Sequence, residues 1–287
     1  MKKASTRTVL LPHQHGISRV QQMGHYRYSA AKPGLENHFH QNSIEICYCI
    51  DGVQQYSVGS RIHYLRGGDI LIIPANQTHS TGGMPEEKGE LFWIQLQLGD
   101  RHGKLCHLPQ EKTNLLLKHL QNASNAPFFG GLQLKELLME LFTLVKQDAK
   151  GLDSIRKEVV LLRLLLDTLE LSQRRQEKEV SERIRDIDGF IEKNLHRSIY
   201  VDELADLTQV STGYFKAWFK INMGNTPKEY INRKRIDLAK KRLQREISVT
   251  KVAYDLGFNS SQYFSTVFRK YTGKSPKEYI QEKTKAE

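Results

Sequence analysis

Two segments near the carboxyl end carry polar side chains of similar kinds at matching positions. The segment that begins at Ser211 and the one that begins at Ser260 are identical at 10 of 21 aligned positions. Their non-apolar helix positions are Thr212, Gly213, Lys216, Ala217 and Lys220 in the first copy and Ser261, Gln262, Ser265, Thr266 and Arg269 in the second. Lys and Gln side chains hydrogen-bond base edges, and Ser, Thr, Lys and Arg also bond phosphates. Because none of these positions is acidic, the pattern is typical of a nucleic-acid contact surface.

The residues around these positions predict the same supersecondary unit twice. Apolar residues at i, i+1, i+4 and i+5 give each helix one buried face. These residues are Tyr214, Phe215, Trp218 and Phe219 in the first copy and Tyr263, Phe264, Val267 and Phe268 in the second. Gly224 and Gly273 follow, where a left-handed C-cap favours glycine, and Thr226-Pro227 and Ser275-Pro276 start the next helix. A short helix precedes each copy, at about 202–207 and 250–256, so each unit is predicted to be a helix-turn-helix.

The stretch between the two units predicts a long connector. Thr226 to Arg245 reads as one helix of about 27 to 30 Å. It carries the basic residues Arg233, Lys234, Arg235, Lys240, Lys241, Arg242 and Arg245. The second helix of each unit is the recognition helix, here called the reading helix. A spacer of this length holds the two reading helices roughly 34 Å apart, which is one turn of DNA. We therefore predict that both reading helices enter successive major grooves, with Arg235 either contacting phosphate or solvating the connector.

About 100 residues of this carboxyl-terminal region resemble the tandem helix-turn-helix domain of the AraC/XylS family of bacterial transcription regulators. The resemblance rests on Gly257-Phe258 and the run from Ser261 to Ile280 in the second copy, and on Leu204-Ala205, Ser211 and Tyr214-Phe215 in the first. It implies binding to double-stranded DNA and contact with RNA polymerase. Two residues depart from the family pattern: Tyr200 replaces a Ser or Thr N-cap, and Gln209 replaces a turn glycine.

Length, charge and cysteine content bound the class of protein. The chain of 287 residues favours two domains. Of its net charge of +11, +7 lies in residues 181–287, where 21 Lys and Arg face 14 Asp and Glu, as expected of a phosphate-binding footprint. Three cysteines do not suggest a disulfide framework. No apolar run is long enough for a signal peptide or a membrane span, so we expect a cytoplasmic protein.

From about Val9 to Leu108 the chain reads as short strands. Runs at 43–50, 54–58, 69–73 and 91–98 are rich in β-branched and aromatic residues and are separated by turn residues. Strands of this length and spacing predict a small β-barrel or sandwich. His38 and His40 are two residues apart and so are expected on one face of a strand. Glu45 follows after four residues, and Gly52 is expected to close a hairpin.

These residues, with the later run Gly68 to Pro74 and His79, resemble the two cupin motifs. In metal-binding cupins the equivalent residues, here His38, His40, Glu45 and His79, form a three-histidine, one-carboxylate site. Two main interpretations stay open, and a third is that some of these histidines only cap strands. The four residues hold a metal such as Zn, Fe, Mn or Ni, or they line a pocket that hydrogen-bonds a small polar effector without a metal. Regulators of this family with a cupin sensor mostly resemble the second case, so we expect an effector such as a sugar and no resident cofactor.

Residues 111–176 predict helices. Ile155, Val159, Leu162, Leu166 and Leu169 form a heptad-like seam of under three heptads. The seam either forms a homodimer interface or packs on the barrel. Residues 172–183 are charged and are expected to be a linker or the polar start of a helix.

Together these patterns predict an α+β chain: a cupin-like β-barrel sensor at 1–110, a helical dimerisation or packing segment at 111–176, and an all-α tandem helix-turn-helix domain at 177–287. The leading hypothesis is a ligand-responsive, sequence-specific transcription regulator, an activator and not an enzyme. The alternative is a cupin metal-binding protein or metalloenzyme with an accessory DNA-binding module. A constitutive DNA-binding protein with an inert barrel is a third hypothesis.

Overall fold

One long strand, β3 (Ser43–Val58), organises the amino-terminal sheet in the computed structural model of the chain. Its first half pairs antiparallel with β7 (Gly89–Gln97) and β5 (Asp69–Ile73), and its second half pairs with β4 (Arg61–Arg66) and β6 (His79–Ser80). The predictions that 43–50 and 54–58 are separate strands and that Gly52 closes a hairpin between them are therefore wrong.

The strand bends at Gly52 instead of turning back. Gly52 has φ of +94°, in the left-handed region that favours glycine. A Cβ atom there would lie 2.6 Å from the carbonyl oxygen of Lys88 on the neighbouring segment. Glycine at this position thus lets one strand serve two parts of the sheet.

The structure describes residues 5–99, 103–131, 133–148, 150–173, 178–244 and 248–284. The remaining strands are β1 (Thr6–Leu10), β2 (Val20–Tyr28) and β8 (Phe128–Phe129), and the strand order is β1-β2-β7-β3-β5-β8. Short 3₁₀ helices lie at Pro12–His15 and Leu105–His107. The helices of this part are α1 (Gln110–Gln121), α2 (Gln133–Lys146) and α3 (Leu152–Gln173).

The two faces of β3 have different surroundings because side chains alternate along a strand. Ile44, Ile46 and Tyr48 belong to a core that also contains buried leucines of α1, α2 and α3. Cys47 and Cys49 belong to a second core, with Tyr26, Tyr56 and Trp93 among its members. The helices therefore cover the face that carries Ile44, Ile46 and Tyr48. The opposite face, with Cys47 and Cys49, is called the inward face and is filled mainly by aromatic and aliphatic side chains.

The predicted α3 seam is split between these environments. Leu162 and Leu169 pack against the sheet-and-helix core. Ile155, Val159 and Leu166 are 60%, 58% and 56% exposed. The helix thus packs on the sheet and also presents an apolar stripe to its surface.

The carboxyl-terminal helices are α4 (Lys178–Lys193), α5 (Val201–Leu207), α6 (Thr212–Met223), α7 (Pro227–Arg242), α8 (Val249–Asp255), α9 (Ser261–Thr272) and α10 (Pro276–Thr284). One core joins α4, α5 and α6, and another joins α7, α8 and α9. The predicted α+β organisation, with two helix-turn-helix units after the β-domain, is confirmed. The connector α7 has 16 residues and is about 24 Å long, so it is shorter than predicted, and Arg245 lies outside the described residues.

Helix caps reproduce the sequence repeat. Ser211 and Ser260 accept hydrogen bonds from the backbone N–H groups of Tyr214 and Tyr263, and Gly224 and Gly273 adopt left-handed C-caps. The turns that follow α5 and α8 have similar backbone conformations. Gln209 has φ of +55° in the first unit, and Gly257 has φ of +68° at the matching position of the second. The turn of the first unit therefore has the same left-handed geometry as that of the second, despite its glutamine.

The chain divides into two compact units: Met1–Tyr28 with Gly34–Arg174, and Ser29–Pro33 with Arg175–Glu287. Helices α1 to α3 belong to the same unit as the sheet, and the three-part division at 110 and 176 stays a prediction. Of the predicted linker, residues 174–177 lie outside the described residues. Within the described ranges, no helix combines the length and apolar character that crossing a bilayer requires.

Candidate functional site

Three histidines meet at one end of the inward face of the sheet. The backbones of His38 and His79 exchange two hydrogen bonds, of 3.0 and 2.8 Å, so their side chains lie side by side. Their ring centroids are 4.2 Å apart, and the His40 ring lies 5.2 Å from each. His38 forms only an isolated bridge and His40 lies outside any strand. The expected strand is therefore absent there, but the rings converge as its spacing predicted.

Backbone carbonyls fix the orientation of two of the rings. Nδ1 of His38 donates to the carbonyl oxygen of Glu36 at 2.8 Å, and Nδ1 of His79 donates to that of Gln77 at 3.0 Å. A carbonyl only accepts, so each Nδ1 carries the proton and Nε2 keeps its lone pair in the neutral ring. This is the arrangement that orients histidine ligands in metal sites.

Glu45 provides a buried carboxylate beside the rings. Its Oε2 accepts a hydrogen bond of 2.8 Å from Nε2 of Gln95, its cross-strand neighbour, and lies 2.8 Å from Nε2 of His40. Its Oε1 lies 3.7 Å from Nε2 of His79 and accepts from Sγ of Cys47 at 3.3 Å. Burial raises the pKa of Glu45, but contacts with His40 and His79 outweigh burial and hold the pKa well below its usual range. The carboxylate is therefore ionised.

The pKa values of His38 and His79 are shifted in opposite directions. Burial lowers the pKa of His79, but the neighbouring carboxylate of Glu45 more than compensates and raises it. Burial also lowers the pKa of His38, and there it prevails. One buried negative charge thus faces rings that are neutral or positive, which is a site for cations or for hydrogen-bond donors and acceptors of a polar ligand.

The donor set fits a divalent transition metal. One ring nitrogen from each of His38, His40 and His79 lies within 4.8 Å of the others. Nε2 of His79 is buried and has no hydrogen-bond partner among the described residues. The three imidazoles would hold the ion, and the Glu45 carboxylate lies beside the ring nitrogens of His40 and His79. Such an ion would supply a Lewis acid able to ligate oxygen atoms of an effector.

An open polar groove runs beside the cluster, with a volume of about 590 Å³. Its lining residues are Gly34, Leu35, Glu36, Asn37, Ser57, Ser80, Thr81, Gly82 and Gly83. Several of them are chain neighbours of His38 and His79. The groove is within the size range of small-molecule sites and offers hydroxyl, amide and carboxylate groups.

Gln95 belongs to this site although the sequence motifs do not include it. Its side-chain nitrogen lies 2.9 Å from Nε2 of His40 as well as 2.8 Å from Glu45. The signal in the sequence is its polar character two and four residues after the apolar inward residues Trp93 and Leu91.

The reading helices expose most of the predicted DNA-contact residues. Gly213, Lys216, Ala217, Lys220, Gln262, Thr266 and Arg269 are exposed, and Thr212, Ser261 and Ser265 are half-buried. Thr212 donates to Asp202 at 2.7 Å, and Arg269 pairs with Glu278 at 3.1 Å. Two acidic groups therefore adjoin residues whose own helix positions are free of acids.

Two tyrosines are placed differently from the prediction. Tyr214 and Tyr263 were expected on the buried helix faces, yet they are 56% and 43% exposed. Phe215 and Phe264 alone fill the equivalent core positions near each helix start. Because a tyrosine carries both a ring and a hydroxyl group, these residues join the candidate contact surface.

The basic residues of the connector mostly have partners within the protein. Lys234 lies 2.8 Å from Asp188 and 2.7 Å from Glu192 on α4. Arg235 is buried, at 7% exposure, and donates to backbone carbonyls, so both predicted roles for it are wrong. Lys241 is exposed. The connector is thus chiefly a structural element.

A β-domain with a polar side-chain cluster, followed by two helix-turn-helix units, defines a DNA-binding transcription regulator with a ligand-binding domain. The family model for the AraC-like ligand binding domain matches residues 23–165, and the model for a helix-turn-helix domain matches residues 204–282. The chain belongs to the AraC/XylS family of transcription regulators.

Relatives extend over most of the chain. HTH-type transcriptional regulator YbfI of Bacillus subtilis (strain 168) is 24% identical over 266 residues, which are 88% of this chain and 88% of the relative. XylDLEGF operon transcriptional activator 1 of Pseudomonas putida is 26% identical over 241 residues, covering 79% and 67%. The crystal structure of ToxT from Vibrio cholerae O395 aligns over 91% of this chain and 96% of its own at 15% identity, with a TM-score of 0.34. The relatives from Bacillus subtilis and Pseudomonas putida are named as a transcriptional regulator and a transcriptional activator, which does not favour the metalloenzyme alternative.

The histidine cluster predicts a metal-dependent gain in stability. Saturating Zn²⁺, Mn²⁺ or Ni²⁺ should stabilise the wild-type protein by about 2.7 kcal/mol at 100 times the Kd, a rise of several degrees in Tm. His79→Ala should lose this rise, since it removes a converging ring nitrogen. Thermal unfolding with each metal and with EDTA measures the effect. His63→Ala, on β4 and outside the cluster, is the matched control; equal losses in both variants would place the ion elsewhere.

Proposed function

We propose that the chain is a sequence-specific regulator that responds to a small polar effector bound at the histidine cluster. The observation that carries the DNA-reading part is the matching pair of capped helices α6 and α9, each with exposed polar or basic side chains. The observation that supports the effector is the buried, ionised Glu45 among three histidines beside an open polar groove.

Lys216 and Gln262 are the strongest candidates for base contacts. Both side chains are exposed near the start of a reading helix, where recognition helices contact base edges. Among the described residues, neither has an acidic partner such as Arg269 has in Glu278. Gln pairs bidentately with adenine and Lys with guanine, so each residue would specify one base in one half of the operator.

Replacing either residue should relax base preference in one half-site. Lys216→Ala or Gln262→Ala should weaken binding to the preferred operator by about 1–3 kcal/mol for a good bidentate contact. Affinity for random duplex should fall much less, since phosphate contacts remain. Binding to the operator, its single-base variants and random duplex measures the difference. Lys241→Ala on the connector is the control, and equal losses on specific and random duplexes would contradict the assignment.

A hydroxyl-rich ligand such as a sugar suits the effector site. Ser57 and Ser80 bring hydroxyl groups to the groove, and Glu36 and Asn37 bring acceptors. The aromatic core next to Cys47 fills the deeper part of the inward face. The effector would therefore lie in the groove and against the histidines, with or without a metal ion.

Effector and operator should influence each other's binding. A sugar or sugar acid that raises the Tm of wild-type protein, but not of His79→Ala, should change operator affinity by about 5-fold or more. Linkage requires the operator to change effector affinity by the same factor. Anisotropy of labelled operator with and without the compound measures the first factor. A compound that stabilises the protein through His79 and leaves operator affinity unchanged would favour an inert sensor.

The exposed stripe of α3 supports a homodimer. Ile155, Val159 and Leu166 follow one another by four and seven residues and are more than half exposed. Their spacing keeps them on one face of the helix. A second copy of α3 would bury the same apolar stripe symmetrically.

Charges in this stripe should separate the dimer. Ile155→Lys with Val159→Lys should shift sedimentation towards the monomer and reduce binding to a two-copy operator, because two lysines from each copy would meet in the interface. Leu115→Lys, an exposed leucine on α1, should leave the mass unchanged. Sedimentation equilibrium distinguishes the two. An unchanged dimer in the double variant would place the interface elsewhere.

An activating role is the final part of the proposal. The relative from Pseudomonas putida is named a transcriptional activator, and its similarity to this chain covers both units. Activation would require contact with RNA polymerase when the regulator is bound beside a promoter.

A further inference from the structure

Arg235 lies where the two helix-turn-helix units meet. Arg235 belongs to connector helix α7 and is 7% exposed, and its Nε donates to the carbonyl oxygen of Leu195 at 3.3 Å. Nη2 donates to the carbonyl oxygen of Arg197. Both carbonyls belong to the loop after α4, in the first unit. The connector is therefore tied to a specific backbone conformation of that loop.

The loop that Arg235 holds is itself well fixed. The side chain of Arg197 pairs with Glu203 at 2.7 Å and bonds Asn194 at 2.9 Å. Glu203 also accepts the backbone N–H of Tyr200 at 2.8 Å, at the start of α5. The carbonyls facing Arg235 thus have little freedom to move away.

Residues of the second helix-turn-helix unit contact the same guanidinium. The Cζ atom of Arg235 lies 5.3 Å from the centroid of the Phe258 ring, within cation–π distance. A Cβ atom on Gly257 would lie 2.8 Å from Nη2 of Arg235 and 2.8 Å from the carbonyl oxygen of Arg197. Only a glycine lets the turn of the second unit come this close to the first.

The path continues into the second reading helix. Phe258 packs against Phe264 of α9 with ring centroids 5.1 Å apart, and lies 6.0 Å from the ring of Tyr263. Each unit has its own core, and Leu238 packs against both. The angle between α6 and α9 therefore depends on contacts between the cores, where the buried guanidinium lies.

We propose that Arg235 is a positioning residue that sets the spacing and angle between the two reading helices. This inference rests on the proposed reading of two half-sites by α6 and α9. A guanidinium is suited to this position, because its fork of donors reaches two carbonyls while its charge lies within cation–π distance of an aromatic ring. A lysine ammonium at the same place keeps the charge but lacks this fixed geometry.

The test compares how strictly each variant depends on half-site spacing. Full-length protein is titrated with duplexes selected from a random pool by the wild type, and with the same duplexes carrying two extra base pairs between the half-sites. The wild type should lose about 10-fold or more in affinity on the insertion. Arg235→Met should bind the selected duplex about 10-fold more weakly and lose less than about 3-fold further on the insertion. Arg235→Lys should fall between them.

Lys234→Met is the matched control. It removes an ion pair of the same helix with α4, so it destabilises the first unit without touching the joint, and it should keep the wild-type spacing preference. Far-ultraviolet circular dichroism at the binding temperature shows that each variant is folded; if Arg235→Met is not, Arg235→Lys decides. Folded Arg235 variants that keep the full spacing preference would overturn this inference alone. A wild type indifferent to spacing would overturn the proposed two-site reading with it.

Discussion

The two-residue period of β3 is the constraint on which the amino-terminal unit depends. It sends Ile44, Ile46 and Tyr48 into the core shared with the helices and turns Glu45 and Cys47 to the inward face. Tyr48 reaches Thr168 on α3 with a 2.9 Å hydrogen bond, so the strand also anchors the helix that carries the exposed stripe. An ionised, buried Glu45 requires hydrogen-bonding partners, and His40 and Gln95 supply them. Ligand site and surface stripe thus follow from opposite faces of one strand.

Much of the carboxyl-terminal unit could be predicted from sequence because its signals are local. Caps such as Ser211 and Ser260 and the glycines Gly224 and Gly273 act within one helical turn, and the repeat doubles each signal. The converging histidines were predictable for a related reason. Residues two apart share a face of any extended segment, so His38 and His40 meet whether or not a regular strand forms.

The features that the sequence did not predict depend on three-dimensional packing, in two of three cases between segments far apart in the chain. Gly52 looks like a turn residue, but the close approach of the Lys88 backbone makes it a bend within one strand. Arg235 has the sequence context of an exposed basic residue on a polar helix. It is nevertheless buried and donates to backbone carbonyls some 40 positions earlier. Tyr214 fits the apolar period of α6, but Phe215 and Phe219 already fill that core. For Gly52 and Arg235, the partner that decides the outcome is far away in the sequence; for Tyr214 it is the competing ring of its neighbour on the same helix.

Two reading helices on one connector require the two DNA motifs that they bind to lie at a fixed separation. The most direct measurement is selection of bound duplexes from a random pool by the full-length protein, followed by sequencing. We expect two short motifs in a fixed order, their centres about 10 to 10.5 base pairs apart, as successive major grooves require. A single motif, or two motifs at variable separation, would contradict the conclusion that α6 and α9 read one operator together.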